Sequence, residues 1–110
     1  MSPPYKSIKE DVLKKLETNL SEIRERFGIE TIGIFGSVAR GEDTSESDID
    51  ILYKFSTKTI RLRQFMGLKE YLEDLFERNV DLIGINWIEP SIRPYIEQDM
   101  ILFTQEVVAA

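Results

Sequence analysis

The sequence predicts a small α/β (α+β) fold, a sheet covered by helices, and three observations carry that prediction. Two long segments repeat apolar residues at three- and four-residue steps, the signature of a helix with one buried face. Short β-branched and aromatic runs lie between glycine and polar breaks and read as strands. Along the 110 residues these segments fall in the order helix, strand, strand, helix, strand, helix, strand, and a chain of that length supports one core.

The first helix is expected over Ser7–Phe27, where Ile8, Val12, Leu13, Leu16, Leu20, Ile23 and Phe27 form one stripe. Ser7 and Glu10 match a capping box, and Gly28 suits the C-terminal stop. Thr31–Phe35 reads as a buried strand that runs straight into Gly36-Ser37, with Val38-Ala39-Arg40 as a short helical turn starting at the serine. The run Glu42–Ser47 is too hydrophilic to be core. A second strand, Asp48–Tyr53, alternates aspartate with isoleucine, so Asp48 and Asp50 should share one face while Ile49 and Ile51 enter the core. After the polar loop Ser56–Thr59, a helix is expected from Ile60 to Arg78, with a stripe of Phe65, Leu68, Lys69, Leu72, Leu75 and Phe76. Lys69 should lay its stem on apolar surface and keep its ammonium wet. Val80–Ile85 is the third strand, Pro90–Gln98 a short helix with Pro90 in its first turn, and Met100–Phe103 an edge strand; the tail Val107–Ala110 carries no assignment.

Composition removes several chemistries. Cysteine and histidine are both absent, which excludes disulfides, thiolate metal sites, imidazole acid–base catalysis and most zinc sites, and fits a cytoplasmic protein. No apolar run approaches the ~20 residues of a membrane span, and Met1–Lys6 has no signal-peptide character. With 20 acidic residues against 14 basic ones the formal charge is −6, which argues against a nucleic-acid substrate. The basic clusters Lys14-Lys15 and Arg61 with Arg63 read as solvated helix faces.

The chemistry concentrates in Gly36-Ser37-Val38-Ala39-Arg40-Gly41 and the Asp48-Ile49-Asp50 that follows. A glycine-serine turn brings backbone N–H groups close to phosphate oxygens. Two aspartates on one strand face, ~6.5–7 Å apart at Cα, can lean together on a hard cation such as Mg²⁺. If the third strand lies beside the second, Asp81 adds a carboxylate from ~5 Å away. Three carboxylates around a metal–nucleotide complex are the arrangement of two-metal phosphoryl or nucleotidyl transfer, and they repel one another until a cation binds. The acidic loop lacks the glycine and ligand spacing of a calcium-binding EF-hand. Taken singly, Gly36-Ser37 could be a plain turn, Asp48-Ile49-Asp50 a polar strand entry, Asp81 a solvent-facing residue and Arg40 a surface arginine; order and spacing give them their meaning.

Gly36-Ser37, ten residues, then Asp48-Ile49-Asp50 resembles the signature of the DNA polymerase beta nucleotidyltransferase superfamily. The fuller Gly-Ser-x-Ala-Arg-Gly is similar to its minimal nucleotidyltransferases, the MNT-type proteins, over nearly the whole chain. The resemblance implies a single nucleotidyltransferase domain over residues 1–110, with the palm-like fold of that family: a mixed sheet of about four strands flanked by helices. It implies that Gly36, Ser37 and Arg40 hold the triphosphate of ATP, and that Asp48, Asp50 and Asp81 are catalytic carboxylates binding Mg²⁺, two ions in all. It further implies a HEPN-domain toxin as partner, silenced by transfer of AMP to a tyrosine, with the present chain as antitoxin. A non-catalytic antitoxin acting by binding, and nucleotidyl transfer to RNA or a small molecule, stand as alternatives. The domain that antibiotic-modifying and polymerase members add is lacking here, so a second subunit is expected to complete the substrate site. Trp87, Ile92 and Tyr95 are candidates for that interface.

Overall fold

The computed structural model describes residues 4–56 and 62–104. The expected loop residues Thr57–Thr59, the first two residues of the expected central helix (Ile60 and Arg61), and the tail Val107–Ala110 lie outside the described residues. In chain order the elements are α1 (Lys9–Thr18), α2 (Leu20–Phe27), β1 (Ile29–Phe35), α3 (Gly36–Arg40), β2 (Ile49–Phe55), α4 (Leu62–Phe76), β3 (Val80–Gly84), a 3-10 turn (Ile85–Trp87), α5 (Arg93–Asp99) and β4 (Ile101–Thr104).

The four strands form one sheet in the order β3-β2-β1-β4. β1 pairs antiparallel with both β2 and β4, whereas β2 and β3 run parallel, with α4 as the crossover between them. The sheet is therefore mixed, and β4 is an edge strand, as the sequence predicts. Strand alternation assigns the faces. Ile32, Ile34, Ile49, Ile51 and Val80 point to one side, where Val12 and Leu16 of α1, Ile23 and Phe27 of α2, and Leu68, Leu72 and Phe76 of α4 complete the main core. Phe35 and Leu52 point to the other side and pack with Ile88 and with Ile96 of α5 in a smaller cluster.

Several expectations are corrected. The long first helix is broken at Asn19, whose side-chain amide donates to the Lys15 carbonyl at 2.8 Å while its backbone N–H reaches the same oxygen at 3.1 Å. The backbone bond is an ordinary helical one; the side-chain amide competes for the same carbonyl at the last turn of α1, and α2 restarts from the Asn19 carbonyl, which accepts from Ile23 N–H at 2.9 Å. The expected capping box does not form. Ile8 occupies the N-cap position, and the Ser7 hydroxyl donates instead to the Asp43 carboxylate. Gly28 does stop α2 in the left-handed conformation, φ 65°. The central helix buries Leu68, Leu72 and Phe76, while Tyr71, and not Lys69, joins the core edge. The last helix begins at Arg93 with Pro94 in its first turn; Pro90 precedes it. Asp48 lies one residue before β2. The loop Glu42–Ser47 is not wholly solvated either, because Asp43 is only 6% exposed.

Candidate active site

β2 and β3 pair in the register Ile49↔Val80, Asp50↔Asp81, Leu52↔Ile83. Register partners project to the same side, so Asp50 and Asp81 stand on adjacent strands ~4.8 Å apart in the pairing direction. They occupy the face opposite the main core, at the end of β2 where Asp48 enters. The alternation that buries Ile49 and Ile51 completely is the same alternation that turns Asp50 outward.

Gly36 is the residue that fits the turn to this pair. It has φ 72°, in the left-handed region that side chains disfavour, and a Cβ added there would lie 2.3 Å from Asp50 Oδ2. Backbone and carboxylate thus share a space that only glycine leaves open. Gly36 and Ser37 open α3, whose first N–H groups have no intrahelical acceptor. Behind them the turn is locked by Glu42 N–H on the Ser37 carbonyl at 2.9 Å and Gly41 N–H on the Val38 carbonyl at 3.0 Å, with Gly41 itself at φ 72°.

The electrostatics follow from this crowding. Burial pushes the Asp50 carboxyl above its usual range, and the neighbouring charges of Asp81 and Asp48 push it further, while Arg40 pulls it back. Arg40 lies at the exposed end of α3, with its guanidinium paired to Glu42 Oε2 and to Asp99 Oδ2, each at 3.2 Å. Its charge reaches Asp50, although its donors are turned to carboxylates of the loop and of α5. The structure therefore brings Gly36, Ser37, Asp48, Asp50 and Asp81 into one neighbourhood, with Arg40 at its rim.

Among the described residues, no three His, Cys, Asp or Glu side chains are gathered tightly enough to hold an ion by themselves. The donor set nonetheless fits a hard divalent cation. Asp50 is partly desolvated and carries the repulsion of the Asp81 and Asp48 carboxylates, which a divalent ion would relieve. A cleft of about 480 Å³ lined by Arg26, Phe27, Gly67, Glu70, Tyr71, Asp74 and Leu75 lies between α2 and α4, away from the carboxylates.

Two residues of this neighbourhood carry no sequence signal. Asp99 meets Arg40 only through tertiary packing. Asp43 accepts hydrogen bonds from Tyr5 Oη at 2.6 Å, the Ser7 hydroxyl and Ile8 N–H at 3.1 Å. Of the expected interface residues, Trp87 is 73% exposed, Tyr95 72% and Ile92 45%; Trp87 lies against Gly84, where a Cβ would stand 2.6 Å from its ring.

The glycine turn, the paired aspartates and the mixed sheet define a nucleotidyltransferase architecture. The family described as Polymerase beta, Nucleotidyltransferase, matches residues 14–106, and the chain belongs to that family. It is 37% identical over 92 residues to the protein adenylyltransferase MntA of Thermococcus cleftensis, covering 84% of this chain and 92% of that relative. A solved structure provisionally described as a minimal nucleotidyltransferase superposes with a TM-score of 0.71 at 32% identity, over 84% of this chain and 93% of that one. The fold also matches a Shewanella oneidensis complex of a tri-AMPylated HEPN toxin with its MNT antitoxin, at TM-score 0.59 and 15% identity, over 86% of this chain and 73% of the other. No helix among the described residues is long and apolar enough to cross a membrane.

Proposed function

We propose that this nucleotidyltransferase is a Mg²⁺-dependent protein adenylyltransferase that moves AMP from ATP to a tyrosine hydroxyl of a HEPN-type toxin and so acts as its antitoxin. The observation that carries this reading is the Asp50↔Asp81 register pair beneath a glycine that leaves room for the Asp50 carboxylate. The named activity of the Thermococcus relative and the partner in the Shewanella complex support the choice of acceptor.

In this reading Asp48, Asp50 and Asp81 hold the divalent ions, whose chemistry when bound is to neutralise triphosphate charge and acidify the attacking hydroxyl. The backbone at Gly36 and Ser37 binds the triphosphate, and Arg40 at the rim adds positive charge when it exchanges Asp99 for a phosphate oxygen. In the same reading Asp81, the more exposed partner of the register pair, also accepts the proton of the incoming tyrosine. The tyrosine oxygen forms the new bond to the α-phosphorus as the bond to the β-phosphate bridge breaks and pyrophosphate departs.

The test uses α-labelled ATP, Mg²⁺ and the product of the gene adjacent to the one that encodes this chain. Label should appear on a tyrosine of that protein with the wild type and vanish with Asp48→Ala/Asp50→Ala. Undiminished labelling by the double variant, or none by the wild type, would sink the reading. The exposed Trp87, Ile92 and Tyr95 favour a second reading, an antitoxin that works by binding alone. Full neutralisation of the toxin by the double variant would select it.

A further inference from the structure

Asp48 lies outside β2, so no strand pairing fixes it, yet it must stand in register with Asp50 and Asp81 for the three to share a ligand. The loop that delivers it is held from two sides. On one side, buried Asp43 gathers Tyr5 Oη, the Ser7 hydroxyl and Ile8 N–H, tying the loop to the chain before α1. On the other, a single nitrogen of Arg78, Nη1, donates to the Thr44 carbonyl at 3.1 Å, the Ser47 carbonyl at 3.4 Å and Tyr5 Oη at 3.2 Å. The Arg78 guanidinium also lies over the Tyr5 ring, 5.9 Å from its centroid. Arg78 follows Glu77, a non-glycine residue at φ 54°, which turns the chain out of α4 and toward this loop. Three residues after Arg78 comes Asp81, and the Asn79 carbonyl accepts from Ile49 N–H at 3.0 Å. One network therefore spans the stems of both acidic strands.

We propose that Asp43 and Arg78, bridged by Tyr5, form a brace that sets the position of Asp48 relative to Asp50 and Asp81, and that both are positioning residues for the divalent-ion site. The bonds of both side chains go to the loop, to Tyr5 and to the chain before α1. Arg78 neutralises the carbonyl ends of the loop and fixes its distance from β3, while Asp43 pins the loop's first half so that the second half has one path to β2. Groups that orient metal ligands in this way are worth about 10–100-fold in ion affinity or activity when removed. The inference rests on the reading of the three carboxylates as ion ligands.

The experiment measures Mn²⁺ binding by electron paramagnetic resonance, with a non-hydrolysable ATP analogue present, for the wild type and for Asp48→Asn, Asp43→Asn, Arg78→Met and Arg78→Lys. All are compared at a temperature where circular dichroism shows each variant folded. Asp43→Asn and Arg78→Met should weaken Mn²⁺ binding about tenfold, and in the transfer assay kcat should fall while the KM for ATP stays within about twofold. Arg78→Lys, whose ammonium carries three donors, should recover part of that loss. Hydrogen exchange at the amides of residues 44–48 should accelerate in Asp43→Asn and Arg78→Met while the β2 amides stay protected. Wild-type Mn²⁺ affinity in the brace variants, alongside its loss in Asp48→Asn, would overturn the brace and leave the ion site standing. Undiminished affinity in Asp48→Asn would overturn the ion site and the brace with it. Equal losses in Arg78→Lys and Arg78→Met would reduce Arg78 to packing and also count against the proposal.

Discussion

Asp50 and Asp43 are carboxylates of one chain held in opposite ways. Burial, then Asp81 and Asp48, raise Asp50, so the folded state favours its protonated form. Its contribution to stability is present below the unfolded carboxylate pKa and is lost as pH rises through the folded one. Asp43 is the reverse. Burial alone would raise it, but bonds from Ser7, Tyr5 and the Ile8 N–H hold it below its ordinary value. Its stabilisation is present above the unfolded pKa and fades as pH falls through the folded one. Asp50→Asn should therefore melt at a higher temperature than the wild type at neutral pH in a chelator, a difference that disappears on acidification, while transfer falls by about 100-fold or more. A thermal melt across pH with a parallel label-transfer assay checks both halves. Gly36→Ala should do harm twice, through its positive φ and through the Asp50 oxygen in the path of the new methyl. A loss of about 1–3 kcal/mol in urea unfolding should accompany a fall in activity at least as deep as that of a purely destabilised control.

Among the elements, the junction of β1 with β4 is the most exacting. A Cβ on Gly33 would stand 2.1 Å from the Ile101 carbonyl oxygen and 2.8 Å from Leu102 Cα, and neither backbone atom can step aside alone. Gly33→Ala should cost about 1–3 kcal/mol and deprotect the β4 amides in hydrogen exchange, leaving β2–β3 intact. The elements themselves were largely readable beforehand. Alternation in Asp48–Tyr53 was enough to assign Ile49 and Ile51 to the core and Asp50 to the opposite face, because a period of two leaves no other choice. The break at Asn19 was not readable, since Leu16, Leu20 and Ile23 keep helical phase across it. Asp43 was not readable either. Its hydrophilic neighbours look like solvent-facing loop, and its partner Tyr5 is 38 residues away in sequence, with Arg78 73 residues from Tyr5. Local patterns report which face a residue takes; they are silent on long-range polar partners.

At the scale of the molecule, the helices of the main core pack on one face of the sheet and the carboxylates stand on the other. Structure and chemistry share strands but not side chains. The parallel pairing of β2 with β3 has a kinetic consequence. Parallel neighbours require a crossover, so Asp50 and Asp81 become neighbours only after the 15-residue α4 has packed and returned the chain. The antiparallel β1–β2 pair closes a much shorter loop and is free to form first. On this topology the ion site is expected to assemble after the rate-limiting barrier. In stopped-flow experiments a divalent cation should slow the unfolding limb of the chevron and leave the refolding limb where it was.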